Sequence, residues 1–332
     1  MTRYFITGIS GFLGRNLVLA IKRRGDAHIH GLVLPGDPAF TLYESDPDVT
    51  LVEGNLDDAA SLERFLSEVE GESYVIHAAG RVSVFSRGDP LTTHINYDGT
   101  KAIVDAAKGK PITRFLFVSS VDALAQNKGE TVAEPHDFDV DRCLGVYGKS
   151  KALAGNYVLN AYREEGFPAL IVCPSAIIGP DDPFMAPIND ALRRFYLGKI
   201  PVRTPGGYDI VDVRDVAEGI LLALEKGRLG ETYLLTGNRV SVKELFATFA
   251  AVVGRKSPKI RLPYWILYLV APFVELLAKI RKKRPLFSPL AIDCLRLNPI
   301  YGKTKAETEL GHKVRPLRES VEDTYRYLTR KR

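Results

Sequence analysis

The chain reads as an α/β protein: a doubly wound parallel sheet followed by a smaller α/β lobe. Three observations predict this. Strand-like and helix-like stretches alternate strictly over the first 120 or so residues. Glycines at positions 8, 11 and 14 stand between the first strand and the first helix. The composition is that of an ordinary globular protein, 45% hydrophobic and 26% charged over 332 residues. By the usual ~100–200 residues per domain, that length fits one large unit or two interlocked ones.

Tyr4–Thr7 is the first strand, a short apolar run, and Asn16–Ile21 continues as a helix. A strand that turns into a helix through glycines offers bare N–H groups at a helix N-terminus, a site for a pyrophosphate. Gly8 allows the turn, Gly11 lets backbone approach the phosphates, and Gly14 lets helix pack on strand. The spacing is G-x-x-G-x-x-G, distinct from the G-x-G-x-x-G fingerprint, so the strand–helix context carries the inference. Lys22-Arg23-Arg24-Gly25 ends the helix with the charges its dipole favours.

The second strand spans His28–Leu34 and is broken by Pro35-Gly36-Asp37-Pro38. Val49–Glu53 is the third, after which Asp57 or Asp58 caps a helix to about Val69. Ser73–His77 is the fourth strand, ending in Ala78-Ala79-Gly80. A helix through Asn96 and Gly99 to Ala107 leads to the fifth strand, Arg114–Ser119. Another helix covers roughly Val146–Glu165, and Ala169–Cys173 is the sixth strand. With right-handed crossovers this gives helices on both faces and ligands at the carboxyl ends of the strands. The positions to inspect are then Gly8, Leu34, Asn55, Ala78 and Ser120. Residues 1–174 form the nucleotide domain, with 208–228 returning to it, and 175–332 form mainly the substrate lobe. In that lobe Ile188–Leu197, Val213–Glu225 and Ser241–Val253 read as helices and Glu231–Leu235 as a late strand.

Tyr147 and Lys151 stand at i and i+4 of the Val146 helix, on one face. An ammonium beside a phenol favours phenolate and lowers a pKa that starts near ~10, making tyrosine a usable acid/base. The pair alone also fits a solvated helix face. Its position after a strand ending in Ser119-Ser120 favours chemistry, because a serine there bonds the same oxygen that the tyrosine protonates.

Composition narrows the partners. The net charge of +5 is modest and concentrated in Lys279–Arg284, so no nucleic-acid footprint is expected. Three unpatterned cysteines, Cys143, Cys173 and Cys294, argue against disulfides or a metal site. The first strand begins by about residue 3, so no signal peptide is expected and a cytoplasmic location is the default.

Taken as an ordered set, the motifs resemble the extended short-chain dehydrogenase/reductases. The set is Thr7-Gly8-x-x-Gly11-Phe12-x-Gly14, Asn55-Leu56-Asp57, His77-Ala78-Ala79-Gly80, Asn96-x-x-Gly99-Thr100, Ser119-Ser120, Tyr147-x-x-x-Lys151, Pro174-Ser175-x-x-x-Gly179-Pro180 and Asp212-Val213-Arg214-Asp215. The resemblance covers nearly the whole chain and implies a Rossmann-type fold binding NAD or NADP. It implies that Tyr147 is the general acid/base, that Lys151 supports it and holds the nicotinamide ribose, and that Ser120 polarises the substrate carbonyl. Gly8, Ser10, Gly11, Phe12, Leu13 and Gly14 would wrap the pyrophosphate. Leu34, Asn55 and Leu56 would lie toward the adenosine, although many relatives have Asp at Asn55. Ala78, Ala79, Gly80, Asn96, Ser119, Pro174 and Ile177 would line the rest of the cofactor channel. For Asn96 a backbone-holding role is the equal alternative. Val82 and Ser175, with Ser120 and Tyr147, would face the substrate.

At the second strand's end, where an acid reads a ribose 2′-hydroxyl or an arginine takes a 2′-phosphate, this chain has Leu34, then Pro35-Gly36-Asp37. Neither marker is in place: Arg15 or another arginine can reach a 2′-phosphate and Asp37 can equally bond a ribose, so the expectation leans only slightly to NAD, with an enzyme of little preference as the alternative. Two substrate branches stand out. One is reductases of the dihydroflavonol-reductase and 3β-hydroxysteroid-dehydrogenase kind, acting on a secondary alcohol or ketone of a fairly apolar molecule. The other is nucleotide-sugar epimerases and dehydratases holding NAD tightly. Pro174-Ser175 favours the first, since sugar-nucleotide enzymes more often carry Asn there. A third reading, a binding protein that kept the fold, conflicts with intact Ser120, Tyr147 and Lys151. The apolar stretch 263–284 with its basic end is a wall for a large apolar substrate, a helix lying in a membrane interface, or a helix packed in the core or a dimer. It falls short of the ~20 apolar residues a span needs. Family analogy also implies a homodimer through the helices around Asp98 and Tyr157.

Overall fold

A computed structural model describes residues 1–86, 89–127, 129–281, 285 and 287–330. The central sheet has seven parallel strands. They are β1 (Thr2–Thr7), β2 (Ala27–Val33), β3 (Val49–Glu53), β4 (Ser73–His77), β5 (Arg114–Val118), β6 (Ala169–Pro174) and β7 (Thr232–Leu235), in the spatial order β7-β6-β5-β4-β1-β2-β3. The strand order reverses beside β1, which creates a crevice at the carboxyl edge between β1 and β4. Thr7 is in register with Leu32 on one side and His77 on the other, and Val118 pairs with Val172. Gly8, Ala78, Ser119 and Ser175 therefore leave the sheet at one edge.

Both faces are covered. On one, the Phe12–Arg24 helix lays Leu17, Val18 and Ile21 against the sheet, beside Val216, Ile220 and Leu224 of the Val213–Lys226 helix. On the other, Ile103, Val104 and Val158 from the Gly99–Ala107 and Gly145–Glu165 helices pack on Phe5, Phe115 and Phe117. Burying each such side chain stabilises by roughly 1.5–3 kcal/mol. The late strand expected over Glu231–Leu235 becomes β7, the sheet's edge beside β6.

Two helices differ from expectation. The one after Asp58, which caps Ala60 N–H, ends at Phe65 and not near Val69. Ser67 Oγ there bonds the Arg64 carbonyl at 2.8 Å, and the chain passes into turns as side chain competes with backbone. The helix through Asn96 contains a π-turn over His94–Asp98, between Pro90–Thr93 and Gly99–Ala107. That extra residue turns Asn96 inward.

The second lobe carries a three-stranded sheet. Gly207–Asp212 pairs in parallel with Ala176–Ile178 and antiparallel with Asn238–Ser241. Its core gathers Ile178, Leu192, Phe195, Ile210, Phe246, Phe249 and Val321. Ser241 and Glu244 form a reciprocal capping box at the start of the Val242–Val253 helix. A smaller cluster packs the Tyr264–Ile280 helix on the Pro289–Leu297 helix through Leu267, Ala271 and Ile292.

Candidate active site

The glycine turn is built as a cradle. Gly8 has φ +77°, and a Cβ on it would fall 2.8 Å from Ala79 N. A Cβ on Gly14 would fall 2.1 Å from Gly8 O. The Phe12–Arg24 helix thus sits directly on the turn that precedes it. Gly11 is its N-cap residue and supplies no side-chain cap, which leaves the first-turn N–H groups to an outside acceptor. These features fit the pyrophosphate of a dinucleotide. Beside the turn, Asp37 accepts from Ser10 Oγ at 2.8 Å and from Ala39 N at 2.8 Å. Arg15 Nε donates to Ser10 O at 3.1 Å. Leu34 is 58% exposed.

One strand over, Thr7 Oγ1 and His77 Nδ1 share a hydrogen bond of 2.7 Å, and His77 Nε2 and Thr100 Oγ1 share one of 3.0 Å. Burial, with the Lys151 ammonium adding to it, pulls His77 down to about 3, so the ring is neutral and structural. Ala79 N donates to Thr7 Oγ1, fixing the Ala78–Gly80 turn against β1. Asn96 Oδ1 accepts from Arg81 N at 2.7 Å, while its Nδ2 donates to Arg81 O at 3.0 Å and to Ser150 Oγ at 2.9 Å. The amide is committed to protein partners and ties the loop after Gly80 to the tyrosine helix. Asn55 Oδ1 accepts from Asp57 N, and Leu56 packs against Gly99.

The acid/base cluster stands two strands from the glycine turn, roughly 10 Å across the sheet. Ser120 ends the turn after β5 and caps a short 3₁₀ helix, its Oγ accepting from Asp122 N at 3.1 Å. Tyr147 lies in the first turn of the Gly145–Glu165 helix. That helix presses onto the 3₁₀ turn at Gly148, where a Cβ would fall 2.4 Å from Asp122 O. This close approach sets the Tyr147 phenol beside the Ser120 hydroxyl, which favours the phenolate. Lys151, 4% exposed, donates from Nζ to Val118 O at 2.9 Å and lies 4.7 Å from the centre of the Phe117 ring. A Cβ on Gly80 would fall 3.1 Å from Lys151 Nζ, so the ammonium borders the turn expected to line the cofactor channel.

The expected lowering of the Tyr147 pKa does not occur in this arrangement. Burial pushes the phenol up first, and the Asp122 carboxylate adds to the rise; the nearby Ser120 hydroxyl opposes them. The Lys151 ammonium is spent on the Val118 carbonyl, and its own burial pulls it down to about 8. Asp122 is itself raised by burial and lowered by its Ser120 hydrogen bond. Sequence reasoning passed over Asp122, although its place two residues after Ser120 was a readable signal. It also passed over Ser150, inside the Tyr147–Lys151 motif.

On the substrate side Val82 is 47% exposed on the loop after β4. Ser175 is buried, with Oγ unpartnered, at the end of β6, and Pro174 pairs with Leu235. Ile177 pairs with Val211 in the second sheet. Sequence gave no hint of Ser86, whose N and Oγ both donate to the buried Glu275 carboxylate, at 2.8 and 2.9 Å.

A doubly wound sheet, a glycine cradle at its crevice and a Ser–Tyr–Lys cluster at the same edge define a nicotinamide-dinucleotide enzyme of the extended short-chain dehydrogenase/reductase class. The chain belongs to the NAD dependent epimerase/dehydratase family, whose profile matches residues 4–235. Among its relatives, the 4-hydroxy-2-methyl-3-oxo-4-farnesyl-3,4-dihydroquinoline-1-oxide ketoreductase of Stigmatella aurantiaca is 30% identical over 93% of this chain and 91% of that protein. Sterol demethylase protein B of Methylococcus capsulatus is 27% identical over 92% of each. The crystal structure of gox2253 superimposes with a TM-score of 0.83, at 29% identity, over 98% of this chain and 97% of that one. Among the described residues no helix is long and apolar enough to cross a membrane.

Proposed function

We propose that this enzyme interconverts a secondary alcohol and a ketone on a large apolar substrate, using NAD. The observation that carries the chemistry is the Tyr147 phenol within reach of the Ser120 hydroxyl at the carboxyl end of β5, with Lys151 buried one helical turn on. When bound, the nicotinamide supplies or accepts the hydride. Gly8, Gly11 and Gly14 would hold its pyrophosphate, and Lys151 and the Ala78–Gly80 turn would border the nicotinamide half. Ser120 Oγ–H orients the substrate oxygen by donating to it. Tyr147, with its pKa raised, holds its proton at neutral pH and is therefore the acid for carbonyl reduction; in the reverse direction it takes the proton back. Ser120 then steadies the phenolate. Support for a large apolar substrate comes from the two relatives, whose names specify a sterol and a farnesylated dihydroquinoline. Support for NAD comes from Asp37, a carboxylate held at the glycine turn where a 2′-phosphate would meet like charge.

The test is a substrate screen with free NADH, using sterol ketones, farnesylated quinolones and nucleotide sugars. The expected outcome is substrate-dependent NADH oxidation with an apolar ketone. In Tyr147→Phe that rate falls by about 10²–10⁴-fold while NADH still binds. Turnover of a nucleotide sugar without net NADH change, or full activity in Tyr147→Phe, overturns the reading.

A further inference from the structure

The Tyr264–Ile280 helix carries two apolar faces, and the fold uses only one. Tyr264, Leu267, Tyr268 and Ala271 point inward onto Ile292 and its neighbours. Opposite them Trp265 is 68% exposed, Leu269 63%, Phe273 69% and Ile280 71%, with Leu276 and Leu277 between them also exposed. At ~100° per residue these side chains fall within an arc of about 120°. The arc holds no charged residue. The helix has two, Glu275 and Lys279, and Glu275 is turned inward onto Ser86. In the sequence, exposed cations flank the helix on both sides. Lys256, Lys259 and Arg261 are exposed before it, and Lys279 and Arg281 are exposed at its end. Lys282–Arg284, the rest of the basic run noted in the sequence, lies outside the described residues.

We propose that this face seats the enzyme on an anionic lipid bilayer, the helix lying in the plane of the interface. An uninterrupted apolar arc of this size costs free energy in water and gains it in the acyl boundary. The flanking Lys and Arg charges complement lipid phosphates, each worth about 1 kcal/mol near such a surface, which is roughly fivefold in partitioning. A second copy of the chain would have to bring together two clusters of cations, whereas anionic headgroups neutralise them. The seat also bears on the substrate side of the molecule. Glu275 holds Ser86, Lys279 lies 5.8 Å from the centre of the Phe85 ring, and this loop begins at Gly80 and carries Val82. An apolar molecule dissolved in the bilayer is thus presented next to that loop. The lipid contact itself stands whether or not the proposed substrate class is right.

Trp265 is the chain's single tryptophan, so its fluorescence reports this face alone. The full chain is mixed with vesicles of phosphatidylcholine containing phosphatidylglycerol, with and without brominated acyl chains, and bound protein is separated by flotation. The expected result is co-flotation, a blue shift of Trp265 and quenching by the brominated chains, weakened by salt and by pure phosphatidylcholine. Leu269→Ser with Phe273→Ser lowers partitioning at least roughly tenfold. Lys279→Glu with Arg281→Glu lowers it by a similar factor or more. Both sets change exposed side chains, and unchanged melting curves establish that the fold is intact. Protein left in the supernatant with Trp265 unmoved overturns the proposal. So does a Trp265 shift that follows protein concentration without lipid and coincides with dimer formation.

Discussion

Gly14→Ala sets two physical expectations against each other. Position 14 is helical, and in a helix alanine is favoured over glycine by about 1 kcal/mol. On propensity alone the variant should be more stable. The tertiary structure demands the reverse, because the new Cβ would lie 2.1 Å from Gly8 O and 2.7 Å from both Cα and O of Ile9. All three are backbone atoms of the turn and cannot rotate aside. Relief requires the Phe12–Arg24 helix to lift from β1 by about 1 Å, loosening Ile9 and Leu17, both fully buried. Overpacking of this kind costs about 1–3 kcal/mol and more where backbone must move. With backbone forced to move, the cost lies at or above the top of that range, and less the ~1 kcal/mol helix gain the net destabilisation is about 2 kcal/mol or more. An unfolding entropy of ~2.1 cal/mol/K per residue over 332 residues turns this into a Tm drop of roughly 3 °C or more. NADH affinity should fall with it, since the displaced turn is the phosphate cradle. Circular dichroism melts and NADH fluorescence titration measure both. Gly25→Ala is the control: it also replaces a glycine at this helix's end, but its Cβ meets nothing within 4 Å. It should lose only the glycine preference of its positive φ with extended ψ, about 1–3 kcal/mol, and keep full NADH affinity. A Gly14→Ala protein that melts at or above the parent temperature and binds NADH normally would refute the reasoning.

Two further outcomes follow from the same geometry. Lys151 has its pKa lowered by burial to about 8, so between pH 8 and 10.5 the unfolded chain binds more protons at this position than the folded one, and stability rises with pH across that window. Lys151→Met, without cofactor, should therefore exceed the parent in urea stability at pH 7 by up to about 3 kcal/mol, with the gap closing toward pH 10.5; a gap constant in pH would show that the amine is not desolvated. Asp37→Asn removes the carboxylate that Ser10 holds at the glycine turn. It should improve NADPH binding several-fold relative to NADH, and an unchanged ratio of the two dissociation constants would mean that Asp37 does not read the ribose.

The parts of this protein legible in its sequence are those where one local rule decides the outcome. Alternating strands and helices give a sheet edge, and the residue after each strand must then stand on it, which is how Gly8, Ala78 and Ser120 could be placed before any coordinates. What escaped depends on contacts between segments far apart in the chain. The i,i+4 spacing of Tyr147 and Lys151 is a local fact, but whether the ammonium reaches the phenol is decided by the Val118 carbonyl, 33 residues away, which takes the proton donor first. Asp122 raises the Tyr147 pKa because Gly148 lets the tyrosine helix settle onto the turn that holds it. The same limit applies at 263–284. Its apolar residues read equally well as core or as membrane face, since hydrophobicity reports that a side chain avoids water and not what it avoids water against. Only the inward turn of Leu267, Ala271 and Glu275 divides the helix in two. One face thereby joins the core, and the other remains in water, with exposed cations flanking the helix on both sides in the sequence, an arrangement that folding alone gives no reason to keep.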